Sequence, residues 1–94
     1  MIIIAGHTLT ESGRRDAVVR AFGELLERAR KHDGCLDLSI SADPLDAERI
    51  NVFELWRDQE SLDAWRKVAK PSRGIKIRKA HVKLYRTERA EKPY

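Results

Sequence analysis

The stretch ELWRDQESLDAW, Glu54 to Trp65, holds both tryptophans of the chain, nine residues apart. A flat indole at the end of a strand and another on the following helix can wall a slot for a planar ligand, although buried indoles also serve as core bulk. His7 interrupts the apolar run MIIIAGHTL, on the same strand face as Ile3, Ala5 and Leu9. Its near-neutral titration makes it the chain's best candidate for a general base, against a hydrogen-bonded core role. His81 and Tyr85 alternate with Lys83 late in the chain. They read either as proton donors near a pocket mouth or as a stripe at a dimer rim. Glu54 is an acid inside an apolar strand, expected to pair with a Lys or Arg across a dimer. The candidate catalytic set is therefore His7, Trp56, Trp65, His81 and Tyr85. Three histidines and one cysteine are scattered without the paired spacing of a metal site. The segments SGRR and SRG lack the glycine pattern of a phosphate loop. No cofactor or metal site is read.

These groups need elements to position them. Residues 2–9 are β-branched and apolar, and predict a first strand. Thr10 or Ser12 is the expected cap of a helix from Arg14 to His32, in which Val18, Phe22, Leu25 and Ala29 recur at helical spacing. Gly34 supplies the left-handed residue that ends it. In CLDLSIS, Leu36, Leu38 and Ile40 alternate with Asp37, Ser39 and Ser41, which predicts a second strand with one polar face. ADPLDAER is a hairpin-type loop, and INVFELW a third strand. Asp58 should cap a second helix over about residues 59–69, with Leu62, Trp65 and Ala69 inward and Pro71 and Gly74 breaking it. Lys79 to Thr87 is the last strand. The expected domain is residues 1–87, with 88–94 a polar tail.

The order βαββαβ predicts an α+β, ferredoxin-like fold: a four-stranded antiparallel sheet with two helices on one face. Strand three is apolar on both faces, with Val52 and Trp56 on one and Phe53 and Leu55 on the other. Strand one is likewise two-faced, with Ile2 and Ile4 against Ile3 and Ala5. Two helices cover one face only. The other predicts a homodimer packed sheet to sheet.

The chain has 94 residues, enough for one domain, and 19 Lys and Arg against 15 Asp and Glu, a net charge of +4. The charges are interspersed, which suits a solvated surface and gives little support for a polyanion partner. RNA-recognition domains share the βαββαβ order but need stacking aromatics on strand one, and MIIIAG has none. No nucleic acid or membrane partner is expected. A single cysteine, Cys35, permits no internal disulfide, and the N-terminal apolar run is too short for a signal peptide or a membrane span. A soluble, cytoplasmic protein is the expectation.

DGCLDLSIS followed by VFELWRDQESLDAW, with MIIIAGHTLTESGRRDAVVRAF before them, resembles the antibiotic biosynthesis monooxygenase family over about residues 1–87. The resemblance implies a dimeric α+β barrel, two ferredoxin-like subunits joined through their sheets. It also implies a cofactor-independent monooxygenase, in which a small aromatic or polycyclic phenolic or quinone-type substrate supplies electrons to O2. Where the quinone-forming members carry an Asn four residues before the strand-three Trp and a Tyr six after it, this chain has Val52 and Leu62. Asn51 is one position off and so points to the other face. These departures support an alternative, a non-catalytic small-ligand-binding dimer. A third reading comes from haem-degrading members, whose helix-two Trp corresponds to Trp65. Their strand-one Asn is His7 here, and RKVAKPSRGIKI has no histidine to serve as the iron ligand, leaving His7 or His81 as substitutes.

Overall fold

The computed structural model describes residues 1–70 and 78–94. Its elements are β1 (Ile2–Leu9), α1 (Arg15–Ala21), α2 (Gly23–Lys31), β2 (Cys35–Ala42), β3 (Arg49–Trp56), α3 (Gln59–Val68) and β4 (Lys79–Arg86). The strands pair antiparallel in the order β2-β3-β1-β4. This is the ferredoxin-like α+β fold, with β1 and β3 central and the helices on one side. Residues 88–94 are exposed and belong to no helix or strand.

The helix expected from Arg14 to His32 is bent into α1 and α2. At the bend the Phe22 amide divides its bond between the carbonyls of Val18 (3.3 Å) and Val19 (3.1 Å), and exposed Gly23 follows. Glycine next to a shared backbone bond is a common cause of such a kink. Neither Thr10 nor Ser12 caps α1: its cap is Arg14, with no side-chain bond. Thr10 is fully buried, and its hydroxyl donates to the Glu48 carbonyl instead. Asp58 does cap α3, accepting from the Ser61 amide at 2.8 Å. That helix ends at Val68, and the expected breakers Pro71 and Gly74 lie outside the described residues. Gly34 has φ +87° where the chain leaves α2 for β2, as its position suggested.

Alternation sets the two sheet faces. Ile2 pairs with Trp56, Ile4 with Glu54 and Gly6 with Val52, so these side chains share one face. Leu38 of β2, paired with Glu54, extends this face, and Ala29, Leu62 and Trp65 from the helices pack against it to form the core. Full burial of an aliphatic side chain such as Ile2, Leu38 or Leu62 contributes about 1.5–3 kcal/mol. The strand-two alternation fails at one point. The register jumps from Cys35↔Trp56 to Asp37↔Leu55, a bulge that leaves Leu36 unpaired and 53% exposed rather than in line with Leu38 and Ile40. Ile3, Ala5, His7 and Leu9, with Asn51, Phe53 and Leu55, form the other face, which none of the described helices covers.

Gly6 sets the distance between β1 and β4. Its φ is +150°, and a Cβ there would stand 2.0 Å from the His81 carbonyl oxygen. Only a residue without a side chain lets β4 come this close.

Candidate functional site

Strand parity divides the five expected site residues between the two faces. Trp56 lies on the helix face of β3, and Trp65 comes down onto that face from α3. His7, on β1, pairs with His81 on β4, and Tyr85 pairs with Ile3, which puts all three on the open face. One slot walled by both tryptophans and served by His7 is therefore not what the fold assembles, because the sheet stands between them.

On the helix face a cleft of about 250 Å³ opens between α2, α3 and the sheet. Phe22, Leu25 and Trp65 line its helix side. Leu38, Ile40, Val52 and Val82 line the sheet side, with Thr8 and Glu54 as the polar exceptions. Phe22 and Leu25 are only half-buried, although they continue the stripe of buried Val18 and Ala29, because they front this space. Trp65 is the wall. Trp56 is fully buried behind it, the two rings stacked at 6.3 Å and 25°. The Arg28 guanidinium lies 5.7 Å from the Trp65 ring centroid, where a cation meets the negative face of the indole. Glu24, one turn earlier, holds Arg28 at 2.6 Å. The His32 ring meets Trp65 edge-on at 5.5 Å and Trp56 at 6.4 Å.

Glu54 is the residue that strand alternation should have placed and the charge-pairing argument misplaced. It makes no ion pair among the described residues. Instead it faces the cleft and accepts a 3.0 Å hydrogen bond from Trp56 Nε1. The signal was the spacing Glu-x-Trp: in a strand, positions two apart share a face. Neighbouring Cys35 has its thiol pushed up, by burial first and by the Glu54 charge second, so it is a poor nucleophile.

The open face is differently built. The His7 and His81 rings stack at 4.9 Å and 28°. Desolvation, then the charges of Arg49 and His81, lower the His7 pKa. Asn51, opposite His7 on β3 as its parity required, accepts from Arg49 Nε at 2.7 Å and donates to Asp43 at 2.9 Å. That bond, with those from the Asp46 and Leu45 amides, holds the Asp43 carboxyl down to about 2. Phe53 is 37% and Tyr85 52% exposed on this face. Among the described residues no group of three or more His, Cys, Asp or Glu is arranged to hold a metal ion. No helix among them is long and apolar enough to cross a membrane.

The sequence profile of the antibiotic biosynthesis monooxygenase family matches residues 1–71. No curated protein sequence matches the chain. Several solved structures share its fold. A Pseudomonas aeruginosa protein is 24% identical, with 96% of this chain and 93% of that chain covered and a TM-score of 0.74. A Deinococcus radiodurans protein whose name carries that of the family is 17% identical, covers 98% and 97%, and has a TM-score of 0.77. A Nitrosomonas europaea protein, also named for the family, is 11% identical, covers 93% and 98%, and has a TM-score of 0.76.

Proposed function

The chain belongs to the antibiotic biosynthesis monooxygenase family, and from that premise we propose that it is a cofactor-independent monooxygenase acting on a small aromatic phenol or quinone-type compound bound in the helix-face cleft. The cleft itself carries this reading: an apolar space walled by Trp65 with one carboxylate, Glu54, turned into it. In this chemistry the substrate supplies the electrons. One oxygen atom of O2 enters the product at an activated ring carbon, and the other leaves as water with two hydrogens of the substrate, one from that carbon and one from the hydroxyl. The apolar walls keep bulk water from the charged and radical forms of the substrate. Glu54 accepts a hydrogen bond from the substrate hydroxyl and draws electron density onto the ring. His7 has no place in this site, since its ring lies across the sheet.

The protein acts as a homodimer, with the open face of one copy packed on that of the other. The half-buried Ile3, Ala5 and Leu55 and the exposed Phe53 of that face lie under none of the described helices. Solution in the cytoplasm remains the expected setting.

A second reading is a dimer of the same fold that binds a small ligand without oxidising it. Val52 lines the cleft and Leu62 is core, so neither position offers a polar group to the ligand. Oxygen uptake separates the two. A phenol or hydroquinone that binds and consumes O2, with uptake abolished by Leu25→Trp filling the cleft, supports the oxygenase. Binding without uptake across a phenol series assigns the ligand-binding role.

A further inference from the structure

Among the described residues that line the cleft, Glu54 alone is charged and Thr8 is the one other polar side chain, and only half of the Glu54 carboxylate is in use. One oxygen accepts from Trp56 Nε1 at 3.0 Å. The other has no donor among the described residues, and it is not sealed away, because no described buried side-chain oxygen lacks a partner. The Trp56 bond fixes the carboxylate, since Trp56 is fully buried and cannot swing. No described Lys or Arg ion pair neutralises it. Its field reaches Cys35, where it adds to burial in raising the thiol.

A fixed carboxylate with a spare oxygen in an apolar wall acts on a ligand in two ways. It accepts a charge-assisted bond from a neutral O–H or N–H. It also repels an anion, and does so more strongly beside apolar walls than it would in bulk water. The size of the cleft adds a limit. A cavity of about 150 Å³ suffices for benzene, and pockets for drug-sized molecules begin near about 300 Å³. At about 250 Å³ the cleft suits one or two fused rings.

We infer that Glu54 is the specificity-determining residue of the cleft, selecting a neutral compound of one or two fused rings that bears a hydroxyl or N–H donor, and rejecting carboxylates, sulfates and phosphates. This rests on the cleft being the ligand site, and does not require that the ligand be oxidised.

The test is equilibrium binding to the full chain, by calorimetry and by quenching of tryptophan fluorescence, of 1-naphthol, naphthalene, 1-naphthoate and 1-pyrenol. A charge-assisted hydrogen bond corresponds to a preference of about tenfold to a hundredfold for 1-naphthol over naphthalene. 1-Naphthoate should bind at least tenfold more weakly than 1-naphthol, and 1-pyrenol should not bind. Glu54→Gln keeps the volume and an acceptor for Trp56 but removes the charge, so it should narrow the naphthol preference and improve 1-naphthoate binding about tenfold or more. Equal or tighter binding of 1-naphthoate by the natural protein overturns the inference, even if the variant fails to fold. So does tight binding of 1-pyrenol, or an unchanged ligand order in a folded Glu54→Gln. Oxygen uptake in the same mixtures keeps the two ideas apart. The expected order without uptake retires the oxygenase and keeps the specificity, and uptake with a reversed order does the opposite.

Discussion

Gly6→Ala should separate β4 from the sheet and spoil the cleft with it. A Cβ at Gly6 would stand 2.0 Å from the His81 carbonyl oxygen and 2.8 Å from Val82 Cα. Both are main-chain atoms, so neither can turn aside as the end of a flexible side chain could. Ordinary contact needs about 3.5 Å, so β4 must retreat by more than about 1 Å. Alanine at φ +150° adds a backbone cost of about 1–3 kcal/mol. Two ladder hydrogen bonds weakened by the retreat add about 0.5–1.5 kcal/mol each. The sum, about 2–6 kcal/mol, is a large share of the roughly 5–15 kcal/mol that holds a small domain folded. Val82 pairs with Gly6 and lines the cleft, so the same retreat should weaken ligand binding. Urea unfolding at neutral pH reads the stability, and amide hydrogen exchange reads β4 directly. Gly23→Ala is the control. A Cβ there meets nothing within 4 Å and φ is not positive, so it should be neutral or stabilise by about 0.5–1 kcal/mol. An unchanged urea midpoint for Gly6→Ala, with β4 amides still protected, would refute the reasoning.

Other expectations are shorter. His7→Ala should leave turnover within about twofold of the natural protein, because its ring lies on the open face; a folded variant slowed by about 10²-fold or more, as when a general base is lost, would return the base to His7. Phe53→Asp puts a charge in the middle of the open face and should give a monomer in light scattering with ligand binding in the cleft intact; a persistent dimer would place the subunit contact elsewhere. Asp43 has a folded pKa of about 2, below the roughly 3.9 of an unfolded Asp. Its contribution is therefore complete above about pH 4 and is lost as pH falls toward 2. Asn51→Ala removes the chief cause of that depression, so its urea midpoint should fall below that of the natural protein at neutral pH and the gap should close by pH 2; parallel curves would refute it.

Much of the fold was legible because its signals are local. Alternation in INVFELW and helical spacing around Leu62 and Trp65 depend on neighbours a few residues away, as does the Asp58 cap, and each stands in the structure where expected. The same alternation already placed Glu54 with Trp56 and turned Asn51 away. Which face the helices would cover was not legible, because both faces of β1 and β3 are apolar, and parity alone ranks neither. Only packing decided it, by bringing Ala29, Leu62 and Trp65 onto the face of Ile2, Ile4 and Trp56. That choice made Trp65 the wall of a cleft, put Trp56 behind it and left His7, His81 and Tyr85 on the other side. The bulge at Leu36, the bend at Phe22 and the need for glycine at position 6 also depend on contacts across the sheet or between helix and sheet, and no window of sequence contains both partners. The sequence by itself determined the elements and the sorting of side chains into two sets. The tertiary structure alone decided which set would enclose a ligand, because that depends on which surface the helices bury.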